Sequence, residues 1–262
     1  MKQYYFLGSL PRTGSTLLAS LLNQHPDVYA SATSALLDLL IPMSNAISFN
    51  RGMYEINDEQ EINIYRGIVD SFYKHIDKTY IFDKHRVWPD MVNPLKKMGF
   101  NYPKMIITLR PIPEIITSYI TLIDKNPNDK NNIDELVKAK GWQINNNNRA
   151  MVIWTEYIVR SHTVINNAIK NGTNNFLFIQ YDDIINNPND VLNRVCDFTG
   201  IPKYDGYDFN KIENKNKEKD DGGWAIKDLH KIRPILQKQS ANPEDVIGKS
   251  LVDHFNQFNI KI

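Results

Sequence analysis

Tyr4 to Pro26, YYFLGSLPRTGSTLLASLLNQHP, constrains this chain more than any other stretch. Its apolar opening, Tyr4 to Leu7, predicts a short buried strand. Gly8 to Gly14 form a turn rich in Gly, Pro, Ser and Thr, and from Ser15 onward Leu17, Leu18, Leu21 and Leu22 recur on one helical face. A strand, a glycine-containing turn and a helix start together make an anion site, because the first helical N–H groups have no carbonyl partners. Gly14 lets the backbone approach an anion closely, Ser15 and Thr16 offer hydroxyls, and Arg12 offers a fork of charged donors. A tight turn without any ligand is the plainer reading, and Arg12 beside an otherwise empty helix N-terminus argues against it.

The loop departs from the nucleoside-triphosphate motif G-x-x-x-x-G-K-[ST]. Five residues separate Gly8 from Gly14 rather than four, and Ser15 stands where the lysine that bridges the terminal phosphates would be. A nucleotide kinase or other phosphotransferase therefore stays open only as an alternative.

Further strands are expected at Thr79 to Asp83, Lys104 to Leu109 and Phe176 to Tyr181, with a short extended piece after Asp27. Helical patterns fill the intervals: one starts near Ser34, one covers 58–76 and a long one covers about 149–171. Strands separated by helices imply an α/β fold, a parallel sheet with helices on both faces. With 262 residues, 42% hydrophobic and 23% charged, the chain fits a single domain spanning 1–262. The Asn- and charge-rich stretches within 124–148, and the polar run within 205–223, are expected to be its flexible parts.

A formal charge of +1 gives no support to a nucleic-acid partner, so positive potential must be concentrated in a site. The single cysteine, Cys196, sits in a helical apolar pattern and is expected to be a buried thiol. No signal segment is read, and no apolar run reaches the roughly 18 residues of a membrane span. A soluble, cytoplasmic protein with no membrane partner is expected; the oligomeric state is not readable.

Ligands of open parallel sheets gather at the carboxyl ends of the strands. In ITLRPIPEIITSYI, Arg110 leaves such an end and Ser118 follows on the first turns of the next helix, which opens with prolines. A strand-end arginine by itself is commonly an ion-pair partner. Together with the first loop it makes a second anion site.

LPRTGSTLLASLLNQHP resembles the phosphosulfate-binding loop of sulfotransferases, a P-R-[ST]-G-[ST]-[ST] turn, and ITLRPIPEIITSYI resembles the family's second phosphate-binding element. IFDKHRVW, DLHKIRP and SATSALL are similar to runs of a bacterial and phage-type branch, in the same order. The resemblance implies a three-layer, P-loop-like sulfotransferase fold. It implies 3′-phosphoadenosine-5′-phosphosulfate (PAPS) as co-substrate, 3′-phosphoadenosine-5′-phosphate (PAP) as product, and no metal. Arg12, Thr13, Gly14, Ser15, Thr16 and Leu17 are then expected around the 5′-phosphosulfate, and Arg110 and Ser118 on the 3′-phosphate. The acceptor would be a hydroxyl, or an amine, of a small molecule, glycan or peptide. FLFIQYDDIINNPNDVLNRVCDFTGIP resembles a further strand–turn–helix of the family, in which Asp182 and Asp183 are read as turn-forming residues.

A base for the acceptor's proton is less clearly marked. The glutamate of some branches is replaced by Ala32-Thr33-Ser34, and the Lys-Thr-His of the cytosolic branch by Lys84-His85. His85 is the first candidate, because a neutral imidazole accepts a proton near pH 7. Asp83, Asp38 and His230 follow. Lys84 and Arg12 are expected to neutralise charge on the leaving side. Pro111, where the family often has Asp, touches the turn more than the charge. The vacant glutamate position keeps a non-catalytic nucleotide-binding module as a third reading.

Overall fold

The computed structural model describes residues 1–53, 55–172, 174–213, 226, 228–229, 231–237 and 241–262. From the N-terminus, β1 (Gln3–Ser9) leads through the Gly8 to Gly14 turn into α1 (Ser15–Leu22), then β2 (Val28–Ala30), α2 (Leu36–Asn50), α3 (Asp58–Phe72) and β3 (Tyr80–Lys84). A short 3₁₀ turn, Trp88–Met91, precedes α4 (Val92–Lys97), β4 (Met105–Leu109), α5 (Ile112–Asp124) and α6 (Asn132–Ala139). α7 (Asn146–Val152) runs through a π-helical segment, Ile153–Ile158, into α8 (Val159–Lys170). β5 (Phe176–Gln180), α9 (Tyr181–Asn186), α10 (Pro188–Thr199), α11 (Pro243–Ile247) and α12 (Lys249–Asn256) complete the order.

The five strands form one sheet in the order β2-β3-β1-β4-β5, with every pairing parallel. Alternation along the strands divides the core into two layers. Tyr4, Phe6, Ile81, Met105 and Ile107 pack with the apolar sides of α2, α3, α5 and α8. Tyr5, Leu7, Phe82, Ile106 and Ile179 pack with α1, α9 and α10. Both faces are covered, which is why the strands read as nearly continuous apolar runs. The result is the three-layer, P-loop-like α/β fold.

Several boundaries have local chemical causes. Asn57 caps α3 reciprocally with Gln60, closing a capping box. The asparagine-rich stretch expected to be loose holds α6 and leads into α7: Asn131 and Asn145 accept the N–H groups of Asp134 and Asn148. Here asparagine acts as an N-cap, a role that composition does not reveal. The polar run at 214–221 lies outside the described residues. Among those described, no helix is long and apolar enough to cross a membrane. Cys196 is buried and free, and burial raises its thiol pKa.

Candidate active site

The carboxyl ends of β1, β3 and β4 open onto a cavity of about 200 Å³. Among the described residues six cationic side chains line it, Arg12, Lys84, Arg86, Arg110, Lys231 and Arg233, and no carboxylate does. For a chain of net charge +1 this is a local concentration of positive potential. A second cavity of about 830 Å³ adjoins it, sharing Arg12, Ser118, Lys231, Arg233 and Gln237 and adding Lys125 from the end of α5.

The first loop forms because two consecutive turns need left-handed backbone. Arg12 has φ +58° and Gly14 φ +80°. A methyl group at Gly14 would come within 2.8 Å of the Tyr181 ring, so glycine is required for both conformation and space. Gly14, Ser15, Thr16 and Leu17 line the cavity at the N-terminus of α1. Thr13 does not: its hydroxyl is fully buried, donating to the Leu10 carbonyl and bonded to Thr108 at 2.7 Å. Thr13 thus braces the loop against β4, and its side chain is not available to a ligand.

Arg12 and Ser118 were expected in separate phosphate sites, and the structure brings them together. Arg12 Nε donates to Ser118 Oγ at 3.2 Å, and Arg12 Nη1 donates to the Leu229 carbonyl of the C-terminal segment. Burial, together with Arg110 and Arg86, lowers the Arg12 pKa, while Tyr119 and Tyr181 oppose the shift. Cations held this close favour an anion among them.

Arg110 is 6% exposed at the end of β4. Its Nε donates to Glu114 at 3.0 Å, its Nη1 to the Arg12 carbonyl at 3.2 Å, and the guanidinium lies 4.2 Å from the Tyr181 ring centre. Nη2 is buried and has no hydrogen-bond partner among the described residues. A buried charged donor with no acceptor is costly unless a ligand supplies one.

Strand parity sorts Asp83 and Lys84, the last two residues of β3. Lys84 points to the α1 side, where Nζ donates to Thr16 Oγ1 at 2.7 Å. Asp83 points to the α2 side and is 1% exposed. Its carboxylate accepts from Trp88 Nε1 at 2.6 Å, from Ser34 Oγ at 2.5 Å and from the Tyr73 hydroxyl. Burial raises its pKa, and these three donors partly offset that. The structure therefore places Asp83, a sequence-predicted base candidate, away from the cavity lining, with three donors that anchor the start of α2 to the end of β3.

His85 lies just past the strand, with its N–H donating to the Leu7 carbonyl at 3.0 Å. It does not line the cavity, whereas its neighbours Lys84 and Arg86 do. Nδ1 accepts the Val87 N–H at 3.3 Å and Nε2 lies 3.5 Å from Asp38 Oδ1. Burial holds the imidazole pKa below its ordinary value, with Asp38 and Asp83 pulling the other way. A neutral ring whose Nδ1 accepts carries its proton on Nε2. The ring thus faces Asp38, and the structure does not bring this sequence-predicted base to the cavity lining. His230 lies outside the described residues.

Arg86, Tyr181, Tyr119 and Lys231 also line the cavity. Tyr181 had a signal in the sequence, as the last residue of the apolar run FLFIQY at a strand's carboxyl end. Arg86 had one in IFDKHRVW, two residues beyond Lys84 and so on the same side.

A parallel sheet with a glycine loop between β1 and α1 and an arginine at the end of β4 defines the P-loop-like α/β class. The sulfotransferase family profile matches residues 5–206, and the chain belongs to that family. Solved structures similar to it include a sulfotransferase domain from the curacin biosynthetic pathway (16% identity, 100% of this chain and 93% of that one, TM-score 0.47). A sulfotransferase from Alicyclobacillus acidocaldarius is 14% identical over 84% of this chain and 88% of its own, TM-score 0.47. A mouse sulfotransferase complexed with PAP is 17% identical over 97% of this chain and 82% of its own, TM-score 0.49. No sequence among curated proteins matches significantly.

Proposed function

We propose that this sulfotransferase uses PAPS as donor and a hydroxyl-bearing acceptor. The observation that carries the reading is six cations and no carboxylate among the described lining residues, with a buried Arg110 Nη2 that has no partner among them. A phosphate monoester carries about −1.5 to −2 charges near neutral pH, so a nucleotide with phosphates at both its 5′ and 3′ positions matches such a cavity. The Gly14 cradle and the α1 N-terminus fit the 5′ group, and Arg110, with Ser118 beside Arg12 on the same cavity wall, fits the 3′-phosphate.

Bound there, PAPS supplies an activated sulfuryl group. Arg12 and the first N–H groups of α1 stabilise charge as it grows on the leaving side, a contribution made mostly in the transition state. Lys84 is held on Thr16 Oγ1, where its ammonium reaches the bridging region. Tyr181 packs between Gly14 and Arg110 and fixes the distance between the two anion sites.

Thermal-shift and calorimetric titration with PAP, set against ATP–magnesium, test the reading. PAP is expected to stabilise the protein strongly and without magnesium, and ATP–magnesium weakly. Equal stabilisation, or a strict need for magnesium, would favour the kinase alternative. PAP binding without turnover of PAPS over a broad set of hydroxyl and amine acceptors would favour a non-catalytic module.

A further inference from the structure

The sheet order β2-β3-β1-β4-β5 sets the cavity's cations on two sides of the first loop. β1 lies between β3 and β4, with Leu7 in register with Lys84 and Ser9 with Thr108. Arg110 and Ser118 therefore stand on the β4 side of the loop, and Lys84 and Arg86 on its β3 side. A donor with its 3′-phosphate at Arg110 and its 5′ group at Gly14 runs from the β4 side toward the β3 side. Its sulfuryl group then comes to Lys84, which Thr16 holds at 2.7 Å. In-line transfer brings the attacking oxygen from beyond sulfur, opposite the leaving oxygen. Arg86 stands at that far end.

The other five cavity cations have partners or a place on the donor. Arg12 donates to Ser118 and the Leu229 carbonyl, Lys84 to Thr16, and Arg110 to Glu114. Lys231 pairs with Asp228 at 3.4 Å. Arg233 lines both cavities together with Ser118, which sets it on the 3′ side. Arg86 lines only the first cavity, is half-buried, and has no hydrogen bond or ion pair with a described residue. It is near enough to add to burial and Arg110 in lowering the Arg12 pKa. Arg160 of α8 faces the same strand end, where burial, Arg86 and Arg160 all depress the His85 imidazole. The carboxylates nearby are engaged elsewhere: Asp38 lies against His85 Nε2, and Asp83 takes three buried donors. A half-buried guanidinium among cations is relieved by an anion that reaches it.

We propose that Arg86 selects the acceptor, an alcohol that also carries a carboxylate or phosphate. The anionic group takes the Arg86 fork, and the hydroxyl faces sulfur beside Lys84. The proposal rests on the PAPS reading above. A guanidinium binds either anion through two parallel hydrogen bonds. A neutral alcohol would displace water from Arg86 and give it no acceptor in return.

The test pairs acceptors that differ in charge: 3-hydroxybutyrate with 3-hydroxybutyramide, 4-hydroxyphenylacetate with 4-hydroxyphenylacetamide, and glycerol 3-phosphate with glycerol. Each is assayed with PAPS, and titrated calorimetrically into the PAP-saturated protein, for the wild type, Arg86→Gln and Arg86→Lys. Anionic members should bind the PAP complex about tenfold or more tightly than their neutral partners, and lead them similarly in kcat/KM wherever turnover occurs. Arg86→Gln should bring both ratios close to one, Arg86→Lys should keep part of them, and PAP affinity should not change in either variant. The carboxylate and phosphate pairs then show which anion the fork prefers. Wild-type ratios near one, or no binding of any anionic member to the PAP complex, overturn the proposal. So does an Arg86→Gln protein in which both members of a pair slow equally or PAP binds more weakly, because Arg86 would then serve the donor. Failure of PAP to bind the wild-type protein would instead refute the donor reading.

Discussion

Replacing Arg110 by alanine separates its two attachments. Toward the protein, Nη1 supports the Arg12 carbonyl at 3.2 Å and Nε pairs with Glu114 at 3.0 Å. Toward the cavity, Nη2 is buried with no partner among the described residues. Losing support for the loop weakens any ligand of the 5′ site by roughly 0.5–1.5 kcal/mol, the net worth of an ordinary hydrogen bond. Losing a charge-assisted bond to a 3′-phosphate costs roughly a further 1.5–3 kcal/mol, or about 10- to 150-fold in Kd. Glu114 is one-fifth exposed, so water can solvate it in the variant. Calorimetric Kd values for PAP and for adenosine 5′-phosphosulfate, which lacks the 3′-phosphate, should therefore diverge. Both should weaken, and PAP should lose the extra factor. Measurement at one fixed ionic strength removes differences in screening. Equal losses for the two ligands would show that Arg110 serves only to hold the loop.

Gly14→Ala is expected to lower stability by about 1–3 kcal/mol and PAP affinity with it, since the residue has φ +80° and its methyl would meet Tyr181; unchanged melting and binding would refute the cradle. Lys84→Met should lower kcat about 100- to 1,000-fold with a smaller effect on PAP binding, read in single-turnover assays; wild-type turnover would remove Lys84 from the reaction. Asp83→Ala strands three buried donors at about 1–3 kcal/mol each, whereas Asp83→Asn keeps an acceptor for Trp88 and two hydroxyl partners; denaturation should show a large loss for the first and a much smaller one for the second. His85 has a folded pKa below its unfolded value, so the unfolded state binds more protons between those two values. Its contribution is therefore present above the ordinary histidine range, near 6.5, and lost as pH falls through the folded pKa. His85→Gln should flatten that acid limb of the stability curve, and an unaltered limb would refute the assignment.

What could be read from the sequence here is what local backbone geometry determines. Strand, glycine turn and helix start occupy consecutive residues, so the loop between β1 and α1 that lines the cavity followed from order alone. Arg110 followed because a strand end is a local property. The features that were not legible depend on which face a residue takes or on partners far along the chain. Asp83, Lys84 and His85 are consecutive, and one step of strand parity separates an anchor, a cavity cation and a residue facing α2. Asp83 becomes an anchor only because Ser34, Tyr73 and Trp88 converge on it from three other elements. Asparagine-rich composition suggested looseness at 124–148, yet Asn131 and Asn145 are caps whose value appears only once the helices behind them pack. α2 is the most instructive case. Apolar residues lie on its exposed as well as its buried side, so its pattern alone does not say which side the sheet covers. Only the fold shows that Leu37 and Leu40 are covered while Phe49 and Met53 are not.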